Sequence, residues 1–377
     1  MPRARRFGFP KRIVLGIFCF GRYNKYSMMI NLRDISRILA VVFVLLVLNF
    51  STTFLAAEEE TPFVIPVLVV KYFPVDSNNM IRVEGRWGAV LRLSDVRKRT
   101  DYITDEAIKS LETGSRYKGF RNADAPASLK YVIVDKLEFL EPLPLYRAEN
   151  GKERVDKNKV MEKINIKAWI DKGVKEVWVW GYDGEFVELC ESNMSGPYGD
   201  ISNSHRDTND LSVFNSTYTV YEYNYLRGVS EAIEDHIHQL EALLRYIDDE
   251  LFWDRFVGYF PAGKWLKLGQ PKRSSQDVIR RCGCAHFPPN AEKDYDWENM
   301  GFATTDIEDW KPDSYGKTKN MNCRQWGCDG LGWFIYWMQN IPGKDNRLTF
   351  RGKNLTNWWR FVGDFDNAMK NGIGLYE

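Results

Sequence analysis

Val64 to Phe73 (VIPVLVVKYF) is a continuous, largely β-branched run of strand length, the pattern of a strand covered on both faces. A helix is expected to begin at Thr104, with Asp105 and Glu106 in its first turn, and to stop at Gly114. Leu129 to Phe139 reads as a second strand, about Lys159 to Lys172 as a helix ended by Gly173, and Val174 to Tyr182 as a third strand. After a long polar stretch come a strand over Tyr218 to Tyr225 and the most strongly periodic helix, Ser230 to about Leu251. This alternation predicts an α/β fold over residues 58–255, with a mostly parallel sheet and crossover helices. Residues 256–377 are rich in Trp, Gly, Pro and Asn with few long periodic runs. They are expected to form a loop-rich, Trp-rich lobe packed on the sheet, with one short aromatic helix near Trp333 to Asn340.

One apolar run stands outside this frame. Ile38 to Leu48 (ILAVVFVLLVL), followed by uncharged residues to Ala57 and then Glu58, Glu59 and Glu60, has the form of a signal-peptide core and its small-residue end. Residues 1–57 are therefore expected to be removed on export, and a start at Met28 or Met29 would leave Arg33 and Arg37 as a short basic leader. The alternative is a signal anchor, because Ile38 to Ala57 is long enough to span a bilayer, and membrane association is expected only in that case.

Export changes the charge. The 377 residues carry 52 basic and 51 acidic groups; taking away the nine bases and one acid of residues 1–57 leaves 43 and 50, a net −7. Phosphate backbones require clustered positive charge, so a nucleic-acid partner is excluded. Aromatics at 14%, with 13 Trp, exceed what a core usually demands, which admits stacking on a ligand.

The longest loop, Asp183 to Asp210, gathers Glu188, Glu191, Ser192, Asn193, Asp200, His205, Arg206 and Asp207; it is either functional or an acidic Ω-loop held by its own hydrogen bonds. On the following helix Glu231, Glu234, His238 and Glu241 share one face, opposite the apolar stripe of Val229, Ile233, Ile237, Leu240, Leu244 and Ile247. Glu234, His238 and Glu241 are the candidate ligands for one divalent cation, Zn or Ca; the alternative is a solvated acidic face with Arg245 neutralising Glu241. His236, beside the apolar stripe, is expected to be a packed core residue.

Cys282-Gly-Cys284-Ala-His286, followed by two prolines, does not have the spacing of a structural zinc site, and disulfides are expected there. His286 is the histidine hardest to explain as packing. Cys323 and Cys328 are expected to pair with each other. Asp294, Asp296 and Glu298 alternate, and on an extended segment would point one way, with Tyr295 and Trp297 between them, suiting a sugar or a hard cation. Trp333, Trp337, Trp358 and Trp359 form either a binding platform or the core of the lobe. The candidate catalytic set is Glu191, Glu234, His238, Glu241 and His286; the candidate substrate-binding set is Ser192, Asn193, Asp294, Asp296 and Trp297.

The stretches GVKEVWVWGY with ESNMSGPYGD, YNYLRGVSEAIEDHIHQLEALL, CGCAHFPPN, and WFIYWMQN with NWWRFVGDFDNAM together resemble a family of exported bacterial proteins whose activity is uncharacterised. The resemblance covers most of residues 65–377 and implies export and a shared fold. It implies no activity, cofactor or catalytic residue. There is no nucleophile elbow, P-loop, dinucleotide fingerprint or HExxH helix. The expectation is an exported hydrolase acting on a polysaccharide or other cell-envelope polymer by carboxylate and histidine acid-base chemistry. A non-catalytic surface protein that binds glycans, and a metal-dependent peptidase, are the alternatives.

Overall fold

The computed structural model describes residues 61–377 apart from 84–88, 183–186, 188–190, 202–210, 261–263, 269 and 275–277. The expected leader, Glu188, Cys190, His205, Arg206 and Asp207 lie outside the described residues.

The central sheet has five strands, β1 (Phe63–Tyr72), β2 (Leu129–Phe139), β3 (Glu176–Gly181), β4 (Ser192–Ser195) and β5 (Tyr218–Asn224). Their order is β2-β1-β3-β5-β4, and all pair in parallel except β4, which runs antiparallel along the edge of β5. Side-chain alternation sorts β1 to two faces. Ile65, Val67 and Val69 join one core with Trp178 and Trp180 of β3, and Leu68, Val70 and Tyr72 join a second core with Val177 and Val179.

The second core is covered by α2 (Lys157–Lys163) and α3 (Ile166–Ile170), a pair broken at Asn165, whose left-handed φ of 51° ends the single helix expected there. The first core is covered by α1 (Leu93–Gly114), α4 (Val229–Ile247) and the C-terminal lobe. Helix α1 starts eleven residues before the expected Thr104, because Leu93, Val96, Thr100 and Ile103 already form its buried stripe. Thr104 lies inside it and donates to the carbonyl of Thr100 at 2.7 Å. From Glu60 onward the chain is one compact unit, so the lobe shares the sheet's core. Among the described residues no helix is long and apolar enough to cross a membrane.

The lobe's tryptophans are core. Trp333, Trp337, Trp358 and Trp359 are all buried, which removes them as a binding platform. The aromatic helix is α5 (Gly330–Met338). Cys323 and Cys328 form a disulfide, whereas Cys282 and Cys284 are buried free thiols, contrary to the disulfides expected for them, because their turn packs both sulfurs into the core.

His236 is a core residue. Its ring stacks on Tyr221 at 3.8 Å, and the Tyr223 hydroxyl donates to Nε2 at 2.6 Å. Burial pushes its pKa down to about 3 from 6.5, so the folded state holds it neutral. A base with a depressed folded pKa contributes stability that is whole above pH 6.5 and drains away as pH falls from 6.5 towards 3. The urea midpoint of the protein is expected to drop between pH 7 and pH 4, and to drop less steeply in His236→Gln, which keeps an acceptor for Tyr223. Parallel profiles for the two proteins would assign the acid sensitivity to other groups.

Candidate metal centre

Helix α4 begins at the carboxyl end of β5, where Glu231 accepts the Gly228 N–H at 2.9 Å and caps the first turn. One turn on, Glu234 and His238 occupy positions i and i+4 and face the same side. This face is not solvated. Glu234 is buried and His238 largely so, because the start of β4 lies on one side and the 284–297 segment of the lobe on the other. Arg245 does not neutralise Glu241; it pairs with Asp249 at 2.7 Å, one turn further along.

His286 is brought in by a turn that the lobe fastens through its carbonyl groups. Gly283 has φ +73°, and a Cβ there would lie 2.2 Å from the Phe287 carbonyl oxygen, so only glycine fits. Cys284 and Phe287 exchange backbone hydrogen bonds at 3.1 and 3.2 Å. Three indole N–H groups then clamp the turn: Trp337 donates to Gly283 O at 2.9 Å, Trp333 to Ala285 O at 2.9 Å, and Trp297 to the same oxygen at 2.9 Å. Glu241 completes the attachment by accepting the Ala285 N–H at 2.7 Å.

The result is a cluster of donors. His238 Nε2 lies 3.0 Å from His286 Nε2; Glu234 Oε1 lies 2.9 Å from His286 Nε2 and 4.0 Å from His238 Nε2. Each imidazole is held from behind by a carboxylate, His238 Nδ1 by Glu191 at 2.7 Å and His286 Nδ1 by Asp294 at 2.9 Å. These bonds place a proton on both Nδ1 atoms, so in the neutral tautomers both Nε2 atoms present lone pairs to one another and to a carboxylate oxygen. Three acceptors in contact call for a proton on one imidazole or a cation among them. Glu234, His238 and His286 can hold a metal ion. Four tetrahedral ligands at the usual zinc distances stand about 3.4 Å apart, and the three separations here scatter around that value.

Without a cation, the surrounding charges favour a proton on His238. Burial opposes a charge on His238, but the hydrogen bond and charge of Glu191, with Glu241 and Glu234 nearby, outweigh it and push the pKa up to about 9. Burial raises the Glu241 carboxyl, with His238, the Ala285 N–H and His286 opposing. Burial, with Glu191 and Glu234 nearby, pushes Asp235 well above the usual carboxylate range.

Glu191, Glu234, His238 and His286 thus converge. Glu241 is not one of the three clustered ligands: its Oε1 is spent on Ala285, and His286 stands where Glu241 was expected. Ser192 is buried with its hydroxyl on Gln239 at 2.7 Å, out of reach of any substrate. Asn193 alternates onto the opposite face of β4. Asp294, Asp296 and Glu298 do not share a face, because Tyr295 takes a left-handed φ of 59° and the segment is a turn. Asp294 reaches His286, whereas Asp296 turns inward to the Glu292 N–H at 2.8 Å and the Asn299 amide at 2.7 Å. Trp297 is a fastener of the His286 turn. Asp235 went unnoticed in the sequence; its sign was an acid adjoining the apolar stripe. No protein-family model matches the chain, and no curated protein matches it.

Proposed function

We propose that the protein is an exported zinc-dependent hydrolase that cleaves neutral acyl bonds, amide or ester, on an extracellular polymer. The carrying observation is the convergence of two imidazole nitrogens and one carboxylate oxygen, with each histidine braced by its own carboxylate. Nitrogen donors in a compact set favour zinc over calcium, whose sites are built from six to eight oxygens. Two histidines and a glutamate leave room for a fourth position, and a cation there supplies Lewis acidity and makes water nucleophilic near neutral pH.

The surrounding residues set the rest of the chemistry. Glu191 and Asp294 fix the ring orientation of the two histidines. Glu241, one turn beyond His238, is a carboxyl with raised proton affinity, suited to carry a proton between water and a leaving group. Acids outnumber bases around the site, which disfavours phosphate and sulfate esters and leaves neutral carbonyl compounds. The site opens where Asp294 and Tyr295 are about half exposed, and the Tyr295 ring lies 4.0 Å from that of His286, giving a sugar ring a flat face. An N-acylated glycan fits these features, and a peptide amide is the other substrate of the same chemistry.

The purified mature protein is expected to carry about one zinc per chain, by elemental analysis, and to release free acid from N-acetylated oligosaccharides. Protein without a stoichiometric metal would overturn the reading, and saturable glycan binding with no turnover would replace it by a glycan-binding role. New amino groups from peptides alone would move the substrate to a polypeptide.

A further inference from the structure

A second site lies at the amino ends of β3 and β5, independent of the metal centre. A cavity of about 150 Å3 is lined there by Glu176 and Lys175, by Met194, Thr217 and Tyr221, by Leu243 of α4, and by the Phe361–Asp366 segment that roofs it. Its walls are mostly apolar, yet Glu176, 3% exposed, lines it. A carboxylate has about four acceptor positions. One is used, by the Trp178 indole at 2.8 Å. Tyr221 is equally buried and lines the same cavity.

The charges nearby do not satisfy these groups. Lys175 turns its ammonium to the Gly363 carbonyl, and Asp366 is occupied by the backbone and hydroxyl of Thr217. Asp364 accepts from Asn367 at 2.8 Å. Beside Met194 and Leu243 the wall carries no charge. The lining therefore holds three acids against one base, with Glu176 the acid whose acceptor capacity is open to the cavity.

We propose that this cavity binds a small primary ammonium group, which donates to Glu176 and Tyr221 while its short alkyl portion lies against Met194, Leu243 and Phe365. A buried carboxylate with unfilled acceptor positions calls for an N–H donor of opposite charge, and a tyrosine face adds attraction for a cation. A neutral alcohol would gain only a hydrogen bond to the carboxyl, without the ion pair that an ammonium forms once the carboxyl gives up its proton. Burial, against the Trp178 bond and the Lys175 charge, raises the Glu176 carboxyl to about 8. The group is thus protonated at neutral pH in the ligand-free protein, and uptake of an ammonium releases that proton to solvent.

Calorimetric titration of the full mature protein with propylammonium chloride and with 1-propanol separates the possibilities, using buffers of different ionisation enthalpy at pH 7. The expected result is saturable binding of the ammonium with proton release, and binding weakened ~10-fold or more in Glu176→Gln. Tyr221→Phe, which keeps the ring stacked on His236, is expected to bind more weakly as well and serves if Glu176→Gln does not fold. Equal or tighter binding of 1-propanol, unchanged ammonium affinity in the variants, or no saturable binding at about tens of millimolar would overturn the proposal, such concentrations exceeding the weakest specific affinities usually met. The zinc content should be unaffected throughout, so this outcome does not depend on the reading of the metal centre.

Discussion

Replacing His286 with alanine is expected to abolish the proposed metal binding and, with it, the proposed hydrolysis. Glu234 and His238 both stand on α4, one turn apart, and would hold only one side of a coordination sphere; His286 is the candidate ligand that closes the set from the lobe. With two ligands the ion is lost to a competing chelator at concentrations the intact protein resists. Asp294→Asn is expected to behave differently. It keeps all three ligands and removes only the carboxylate behind His286, so zinc should remain bound with ~10–100-fold lower affinity or activity. Competition against a chromophoric chelator measures both variants in one experiment. His286→Ala protein that holds zinc as tightly as the parent would show that the ion, if present, sits elsewhere.

The second large effect concerns stability. Arg281 and Asp306 form an ion pair at 2.5 Å with both side chains essentially inaccessible, 1% and 0% exposed. Arg281 also donates to the carbonyls of Arg255 at 2.9 Å, Lys311 at 2.5 Å and Ser314 at 3.2 Å, so one guanidinium ties Arg255 to the 306–314 stretch of the lobe. Arg281→Met leaves Asp306 buried without its counter-charge and is expected to cost about 3–5 kcal/mol, read as a large fall in urea midpoint. Removing both charges in Arg281→Met with Asp306→Leu should recover much of that loss, because two apolar side chains incur no unmatched desolvation. A double variant no more stable than the single one would mean that the carbonyl contacts, rather than the charge pair, dominate. Arg281 immediately precedes the turn that presents His286, so weakened zinc retention should accompany the lost stability.

Strands β1 and β3 were legible because they are covered on both faces and read as largely apolar runs; β2, at the sheet edge, leaves many of its positions exposed, yet Leu129 to Phe139 matches it end to end. Strand β4 was not legible. Ser192–Ser195 is four residues of mostly polar sequence at an edge, and its pairing to β5 is a tertiary fact with no local periodicity. The same holds for the site. The face of α4 bearing Glu234 and His238 could be drawn from helical spacing, but whether it met solvent or protein depended on residues about fifty positions away. His286 stood out because no apolar pattern accounted for it. Asp294 was grouped with Asp296 and Glu298 on the premise of an extended chain, and the left-handed turn at Tyr295, a conformation that sequence rarely announces at a tyrosine, dispersed them.

The three indole clamps on residues 283–285 bear on how such a protein can be inherited. Two of them, Trp333 and Trp337, come from a helix that supplies no ligand, and all three grip main-chain oxygens rather than side chains. A gene cut short before Gly330 would still encode Glu191, Glu234, His238, His286 and Asp294, yet not two of the three indoles that keep His286 in place. Recombination that exchanged the tail for an unrelated one would separate the ligands from their support. The lobe's helix and the residues it holds in place thus act as one structural unit.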